Sequence, residues 1–208
     1  MKDRHKISFF FLLKACYRFK ARQISNPEEL SRAFKLRKSI YSDLLKWVAC
    51  NKEQETDLYD KYASHFGVFF NGRIIAYCRL ITTDKPTMLE NDFKMLIEDE
   101  EIRKKKDTAE ISRLTLDKEF IGDGRGKIIQ AFLYRKIYHW SRKNGINFWY
   151  VVVREKFFNN LKANFDCQQI GKTYYFKEND SAIAAIIHLQ KSLEFVREKN
   201  KLLYWWYK

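Results

Sequence analysis

Residues 146–153 read INFWYVVV, a run that is apolar except for Asn147. A strand without a polar face must be covered on both sides, so this one belongs at the centre of a sheet flanked by helices. Residues 121–145 lead into it as a glycine-rich loop and a long amphipathic helix. Ile128, Ile129, Phe132, Leu133, Ile137 and Trp140 form the helix's apolar stripe, and Gly145 stands where it should stop.

The rest of the chain alternates in the same way. Residues 17–24 read as a first strand. Asn26 then offers a cap, Pro27 a first helical residue, and Glu29 follows three after the cap. Leu30, Phe34, Ile40, Leu44 and Trp47 extend a helical period to about residue 48. Residues 51–62 are polar, a loop or a short helix. Residues 65–81 are two apolar runs about Asn71-Gly72, a hairpin signal. Residues 82–101 begin as a loop and continue as a short helix. Residues 109–120 read as a strand, 155–165 as a short helix, 172–178 and 182–190 as a last pair of strands, and 192–208 as a basic, aromatic, helical tail. This order predicts an α/β sandwich: a mixed, mostly antiparallel sheet flanked by helices. The order is similar to that of the GNAT-type acyltransferase fold.

Two prolines and seven glycines in 208 residues leave little room for linkers. The expectation is an extension over residues 1–16 and a single domain over 17–208. The extension holds a basic start and the apolar run ISFFFLL. That run is short, ends at Lys14 and shows no cleavage site, so it reads as an extension of a cytoplasmic protein rather than a leader. No stretch is long enough to span a membrane. Cys16, Cys50, Cys78 and Cys167 are far apart, and His5, His65, His139 and His188 are scattered, so no metal site is expected. The net charge of +14 points to an anionic partner: nucleic acid, a membrane surface or an acidic protein. No zinc-finger or RNP pattern supports the first. The aromatic, lysine-bearing LLYWWYK end suits peripheral contact with a membrane.

Charged residues inside apolar elements carry the chemistry. Arg37 and Tyr41 share a helix face, with Trp47 beyond them. Glu55, Asp57 and Asp60 follow, then Arg79 within a hairpin strand, then Glu110 and Arg113 within AEISRLTLDKEF. Unpaired charges there would be costly, so they should pair, either as separate structural ion pairs or as a site. Glu110 and Arg113 are three apart, which puts them on opposite faces of a regular strand. Either they serve different groups, or a bulge near Ser112 turns them together.

The series Arg37, Tyr41, Trp47, then ETDLYD, then RLITTDKPTMLENDFKML, then EISRL, resembles the acyl-homoserine-lactone synthases, the LuxI-type autoinducer synthases. The resemblance runs from about residue 30 to 190 and is densest from 37 to 117. It implies transfer of a fatty acyl chain from acyl carrier protein to the amino group of S-adenosylmethionine, then lactonisation and loss of methylthioadenosine. It implies no metal and no resident cofactor beyond the phosphopantetheine arm of the carrier. Glu110 is the candidate base, with Ser112 and Arg113 beside it. Arg113 and Arg79 organise the acids, and Arg113 is also a candidate for the pantetheine arm. Asp57 and Asp60 are candidates for the acceptor's ammonium or sulfonium, and Tyr41 and Trp47 for its adenine or cation. Arg37 pairs either with the acceptor carboxylate or with Asp57 and Asp60. A backbone N–H near residues 112–114 is the expected oxyanion donor. Leu114, Leu116, Trp149, Val151, Val153 and Leu161 are acyl-chain candidates. Lys127, Arg135, Lys136, Arg142 and Lys143 are candidates for docking an acidic carrier.

Two departures matter. Valines stand in FWYVVV where members that take 3-oxo chains carry a threonine, which favours an unsubstituted chain. Leu114 replaces the family's Phe, and YVVVREKFFNNL drifts toward the related long-chain N-acyl amino acid synthases, which acylate a free amino acid. That activity is the alternative, and a non-catalytic basic module binding membrane or nucleic acid is a second one.

Overall fold

The computed structural model describes residues 18–97, 105–122, 124–177 and 180–208. The expected extension over 1–16, with Cys16, lies outside them, as do residues 98–104 and Asp123. The strands are β1 (Phe19–Ile24), β2 (Ser64–Phe70), β3 (Arg73–Thr82), β4 (Thr108–Leu116), β5 (Phe148–Arg154), β6 (Cys167–Lys177) and β7 (Asp180–His188). The α-helices are α1 (Pro27–Lys38), α2 (Gly124–Lys143), α3 (Glu155–Lys162), α4 (Leu189–Lys199) and α5 (Lys201–Tyr207). The strands join in the order β1-β2-β3-β4-β5-β7-β6. β4 and β5 run parallel, while β1/β2, β5/β7 and β6/β7 run antiparallel. The mixed α/β sheet expected from the sequence is the sheet that forms.

The chain divides into two compact units. The first takes the described residues up to Asp60, then Ser64–Arg79 and Arg113–Ile137. Its hairpin turns on Asn71 (φ 49°) and Gly72 (φ 76°), both left-handed, as the twist of a two-residue connection demands. At the start of α1 the Asn26 carboxamide oxygen accepts from the N–H of Glu28 (2.8 Å) and Glu29 (3.3 Å). The Glu29 carboxylate does not reach back to the cap. It accepts from Arg22 of β1, with one contact at 2.6 Å. Ile24, Ala33, Phe34, Leu36, Phe69, Ile74 and Tyr77 pack as the core of this unit. The helical period was read to about residue 48, but α1 ends at Lys38. Ser39 Oγ donates back to the Leu36 carbonyl (2.8 Å), and the chain widens into a π-helix over Ser39–Leu44.

The second unit takes Lys61–Ala63, Leu80–Ser112 and Tyr138–Lys208. Trp149 Nε1 donates to Ser141 Oγ of α2 at 2.9 Å, which turns that face of β5 toward the helix. Tyr150 of the opposite face packs with Leu89, Leu96, Ile97, Ala182 and Ala184, flanked by Phe93 and Val152. The short helix read into residues 82–101 reduces, within the described residues, to a 3-10 turn at Lys94–Leu96. Threonines hold the preceding loop instead: Thr83 Oγ1 donates to the Lys105 carbonyl, and Thr87 Oγ1 accepts from the Glu90 N–H. β6 starts earlier than expected. Gly171, just before the strand expected over 172–178, lies inside it at φ 63°, where the register with β7 slips between Ile170 and Tyr174. The tail is helical, broken at Asn200, whose carboxamide caps α5 through the Leu203 N–H.

A Cβ on Gly171 would stand 1.9 Å from the Leu96 carbonyl oxygen, whereas one on Gly72 meets nothing within 4 Å. Gly171→Ala should therefore lower the unfolding free energy by about 2–4 kcal/mol, and Gly72→Ala by only about 1 kcal/mol. Urea denaturation of the two variants measures the difference.

Candidate active site

Three arginines and three carboxylates of the first unit form one network. Arg37, fully buried on α1, donates through Nε to Glu55 (2.5 Å) and through Nη1 to Asp60 (2.6 Å). Arg79, fully buried on β3, donates through Nη1 to Asp57 (2.5 Å) and Asp60 (2.7 Å). Arg113 on β4 donates through Nη2 to Asp57 (2.7 Å) and lies 3.3 Å from Glu55. Glu55 and Asp60 thus each meet two guanidinia, and Asp57, with Arg37 Nη2 at 3.6 Å, meets all three. The backbone of ETDLYD is tied in as well: Asp57 N–H donates to Asp60 Oδ2 (2.8 Å) and Tyr59 N–H to Asp57 Oδ1 (3.0 Å).

The electrostatics follow from this packing. Burial works against charge on Arg37, yet Tyr77, Glu55 and Asp60 hold its pKa above the ordinary arginine value. Burial opposes ionisation of Asp57, but Arg79, Arg113 and Arg37 keep its carboxyl below the usual range. Of the partners named for Arg37, the acids Asp57 and Asp60 lie against it, and Glu55 joins them. Arg113, Asp57 and Asp60 are the members with some exposure.

Three neighbours escaped the sequence reading. Arg79 sits over the Tyr59 ring, 5.6 Å from its centroid. His65 Nε2 is 3.1 Å from the Asp60 carbonyl, and Nδ1 is 2.7 Å from Tyr77 Oη. A carbonyl only accepts, so Nε2 carries the proton and Tyr77 donates to Nδ1. Burial lowers the His65 pKa, and Asp60 opposes it only in part. Tyr77 could have been found, because it lies two residues before Arg79 and so shares its face of β3.

Tyr41 and Trp47 meet edge to face at 5.7 Å. Trp47 stands past the π-helix, not on α1, and is 45 % exposed. Arg113 lies over the Tyr41 ring, 5.4 Å from its centroid. Arg113 itself has φ 55°, a left-handed residue inside a strand. The backbone of β4 therefore departs from a regular strand one residue after Ser112.

Glu110 belongs to the second unit, where it is buried and its Oε2 accepts from the Leu89 N–H at 2.8 Å. Glu110 Oε2 thus meets the Leu89 N–H, while Arg113 of the first unit meets Asp57 and Glu55. The parallel register sets Glu110 beside Tyr150, so Tyr150 and Val152 share its face. Trp149, Val151 and Val153 lie on the opposite face, and Leu161 is buried on α3. Leu114 and Leu116 are half-buried in the first unit. Of the docking candidates, Lys127 is exposed and Arg135 and Lys136 are half-buried in the first unit. In the second, Lys143 is exposed and Arg142 donates to Asn147 Oδ1 (2.6 Å). Among the described residues no His/Cys/Asp/Glu group could hold a metal ion, and no helix is long and apolar enough to cross a membrane.

The family comparison identifies the class of protein as an acyltransferase of the autoinducer synthase type. A family model described as autoinducer synthase matches residues 21–195, so the chain belongs to the autoinducer synthase family. An acyl-homoserine-lactone synthase from Vibrio anguillarum is 27 % identical over 143 residues, covering 66 % of this chain and 74 % of that protein. Among solved structures, the acyl-homoserine-lactone synthase LasI superposes with a TM-score of 0.74 at 21 % identity, over 82 % of this chain and 90 % of its own. BjaI, a CoA-dependent acyl-homoserine lactone synthase, superposes at 0.74 and 19 % identity over 88 % of each chain. FeeM, an N-acyl amino acid synthase from uncultured soil microbes, superposes at 0.63 and 15 % over 85 % and 94 %.

Glu55→Ala leaves Arg37 Nε desolvated without its carboxylate and should cost about 3–5 kcal/mol in urea unfolding. Acid should also destabilise the fold in two stages. The His65 pKa lies below 6.5, so its share of stability is complete above that value and is lost as pH falls through the lower, folded one. The Asp57 pKa lies below 3.8, so its share is lost later, as pH falls through its depressed value. Urea midpoints between pH 7.5 and 3 should fall in both windows, and Asp57→Asn should shrink the lower one, to which Glu29 and Asp84 also contribute.

Proposed function

We propose that the protein makes an N-acyl-homoserine lactone signal from a fatty acyl thioester and S-adenosylmethionine. The observation that carries this reading is the network of Arg37, Arg79 and Arg113 with Glu55, Asp57 and Asp60, present in a chain of the autoinducer synthase family. In this reading Asp57 and Asp60 present partly exposed carboxylate to the cationic end of the acceptor, and Trp47 with Tyr41 borders it. Arg37 and Arg79, already committed to acids, keep those carboxylates in place without taking part in bond making.

Two displacements follow. The acceptor ammonium first loses a proton to Glu110, directly or through water, because only the free amine is nucleophilic. Its nitrogen attacks the thioester carbonyl, a backbone N–H near residues 112–114 meets the oxyanion, and the C–S bond breaks to release the donor thiol. The acceptor carboxylate then attacks the carbon γ to its own carbonyl, a C–O bond forms, and the sulfonium C–S bond breaks to release methylthioadenosine. Acyl carrier protein is the proposed donor, because acidic carriers suit a chain of net charge +14. The chain is proposed to be unsubstituted at its 3-position, since Val151, Val152 and Val153 offer no hydroxyl. FeeM keeps acylation of a free amino acid as the second reading.

Purified protein given a straight-chain acyl carrier protein or the matching acyl-CoA, with S-adenosylmethionine or mixed amino acids, tests both readings by mass spectrometry. Acyl lactone with methylthioadenosine is the expected product, and an acyl amino acid alone would replace the proposal with the alternative. Glu110→Gln should cut turnover by about 100-fold or more at unchanged melting temperature. The carboxamide oxygen can still accept from Leu89, so the loop keeps its anchor. An undiminished rate would remove Glu110 as base.

A further inference from the structure

Tyr41 entered as a surface for the acceptor's adenine or cation, but its polar end is already engaged. Its hydroxyl donates to the Leu114 carbonyl at 2.9 Å. That carbonyl follows Arg113, whose φ of 55° is a conformation that a non-glycine residue keeps only when its surroundings hold it there. The Tyr41 ring lies under the Arg113 guanidinium, which is itself fixed to Asp57. At its other end, the Tyr41 carbonyl accepts from the N–H of Trp47 (2.9 Å) and Val48 (3.3 Å), so the same residue anchors the turn that carries Trp47. All of these groups belong to the first unit. The π-helix makes the arrangement available, because its wider turn sets Tyr41 differently from a fourth residue of regular α-helix. Burial raises the phenol's pKa to about 12, so it remains a donor throughout the physiological range.

We infer that Tyr41 is a positioning residue for acyl transfer: its hydroxyl locks the Arg113–Leu114 segment of β4, in which Arg113 is left-handed. The aim of the backbone N–H groups there, and of the Arg113 side chain, is then set from α1's π-helical end. This rests on the acyl-transfer reading above. It assigns the hydroxyl a role apart from that of the ring.

Tyr41→Phe separates the two, since it removes one oxygen and leaves the aromatic face. With the wild-type donor and acceptor, kcat should fall at least about 10-fold while the KM for S-adenosylmethionine stays within about twofold, as expected when reacting groups are mis-aimed rather than unbound. Amide hydrogen exchange on the full chain gives a readout independent of turnover. Exchange in peptides spanning 113–116 should rise several-fold in Tyr41→Phe, while those from β1 and β2 keep their rates. If wild-type protein forms no acyl product, the functional reading fails but the exchange result still judges the lock. Unchanged exchange at 113–116 would overturn the inference. So would a wild-type kcat in an active Tyr41→Phe enzyme, or a raised KM with kcat preserved, which would mark the hydroxyl as part of the binding surface.

Discussion

Everything in the first unit is arranged around desolvated guanidinium. Arg37 and Arg79 have no exposed surface, so their charge must be answered inside the protein. Glu55, Asp57 and Asp60 answer it, and all three come from one short stretch with no regular secondary structure before Asp60. That stretch holds its shape because the acids accept from its own backbone as well as from the arginines. The network is therefore both the reason the loop is ordered and the means by which Asp57 and Asp60 are held in place with part of their surface exposed. His65 and Tyr77 extend it downward into the core, and Tyr59 covers Arg79.

Much of this was legible from residue types alone. Asn71-Gly72 announced a left-handed turn, and Asn26-Pro27 a helix start, because those residues relieve specific backbone costs. The pairing of Arg37, Arg79 and Arg113 with the ETDLYD acids followed from the cost of burying charge. What the sequence obscured was backbone irregularity. The period through Ile40 and Leu44 continues past the point where Ser39 diverts the helix into a wider turn. Gly171 looks like a strand boundary, yet it is a bulge that makes room for the Leu96 carbonyl. The loop over residues 82–97 has helix-forming residues but is held by threonine hydroxyls. Single hydroxyl contacts, some local and some distant, and one close backbone approach decide these, and the hydrophobic period does not encode them.

Strand register also corrects how the acyl-chain candidates are to be grouped. Pairing of Glu110 with Tyr150 assigns the faces of β5, so the alternating residues of FWYVVV do not all look toward Glu110. Trp149, with its indole N–H committed to Ser141, is fixed on the helix side. Tyr150 and Val152 are the β5 residues that share a face with the proposed base, and neither stood out as a candidate in the sequence.

The closed charge balance of the network has a consequence for ionic strength. Three cations and three anions packed close together present little net field to the solvent, and the fully buried Arg37 and Arg79 are screened least by mobile ions. The excess positive charge on the exposed surface has no such protection. Added salt should thus weaken the long-range field of the exposed surface and leave the internal network nearly untouched, so the salt sensitivity of any proposed encounter with an anionic donor would report on that surface rather than on the network.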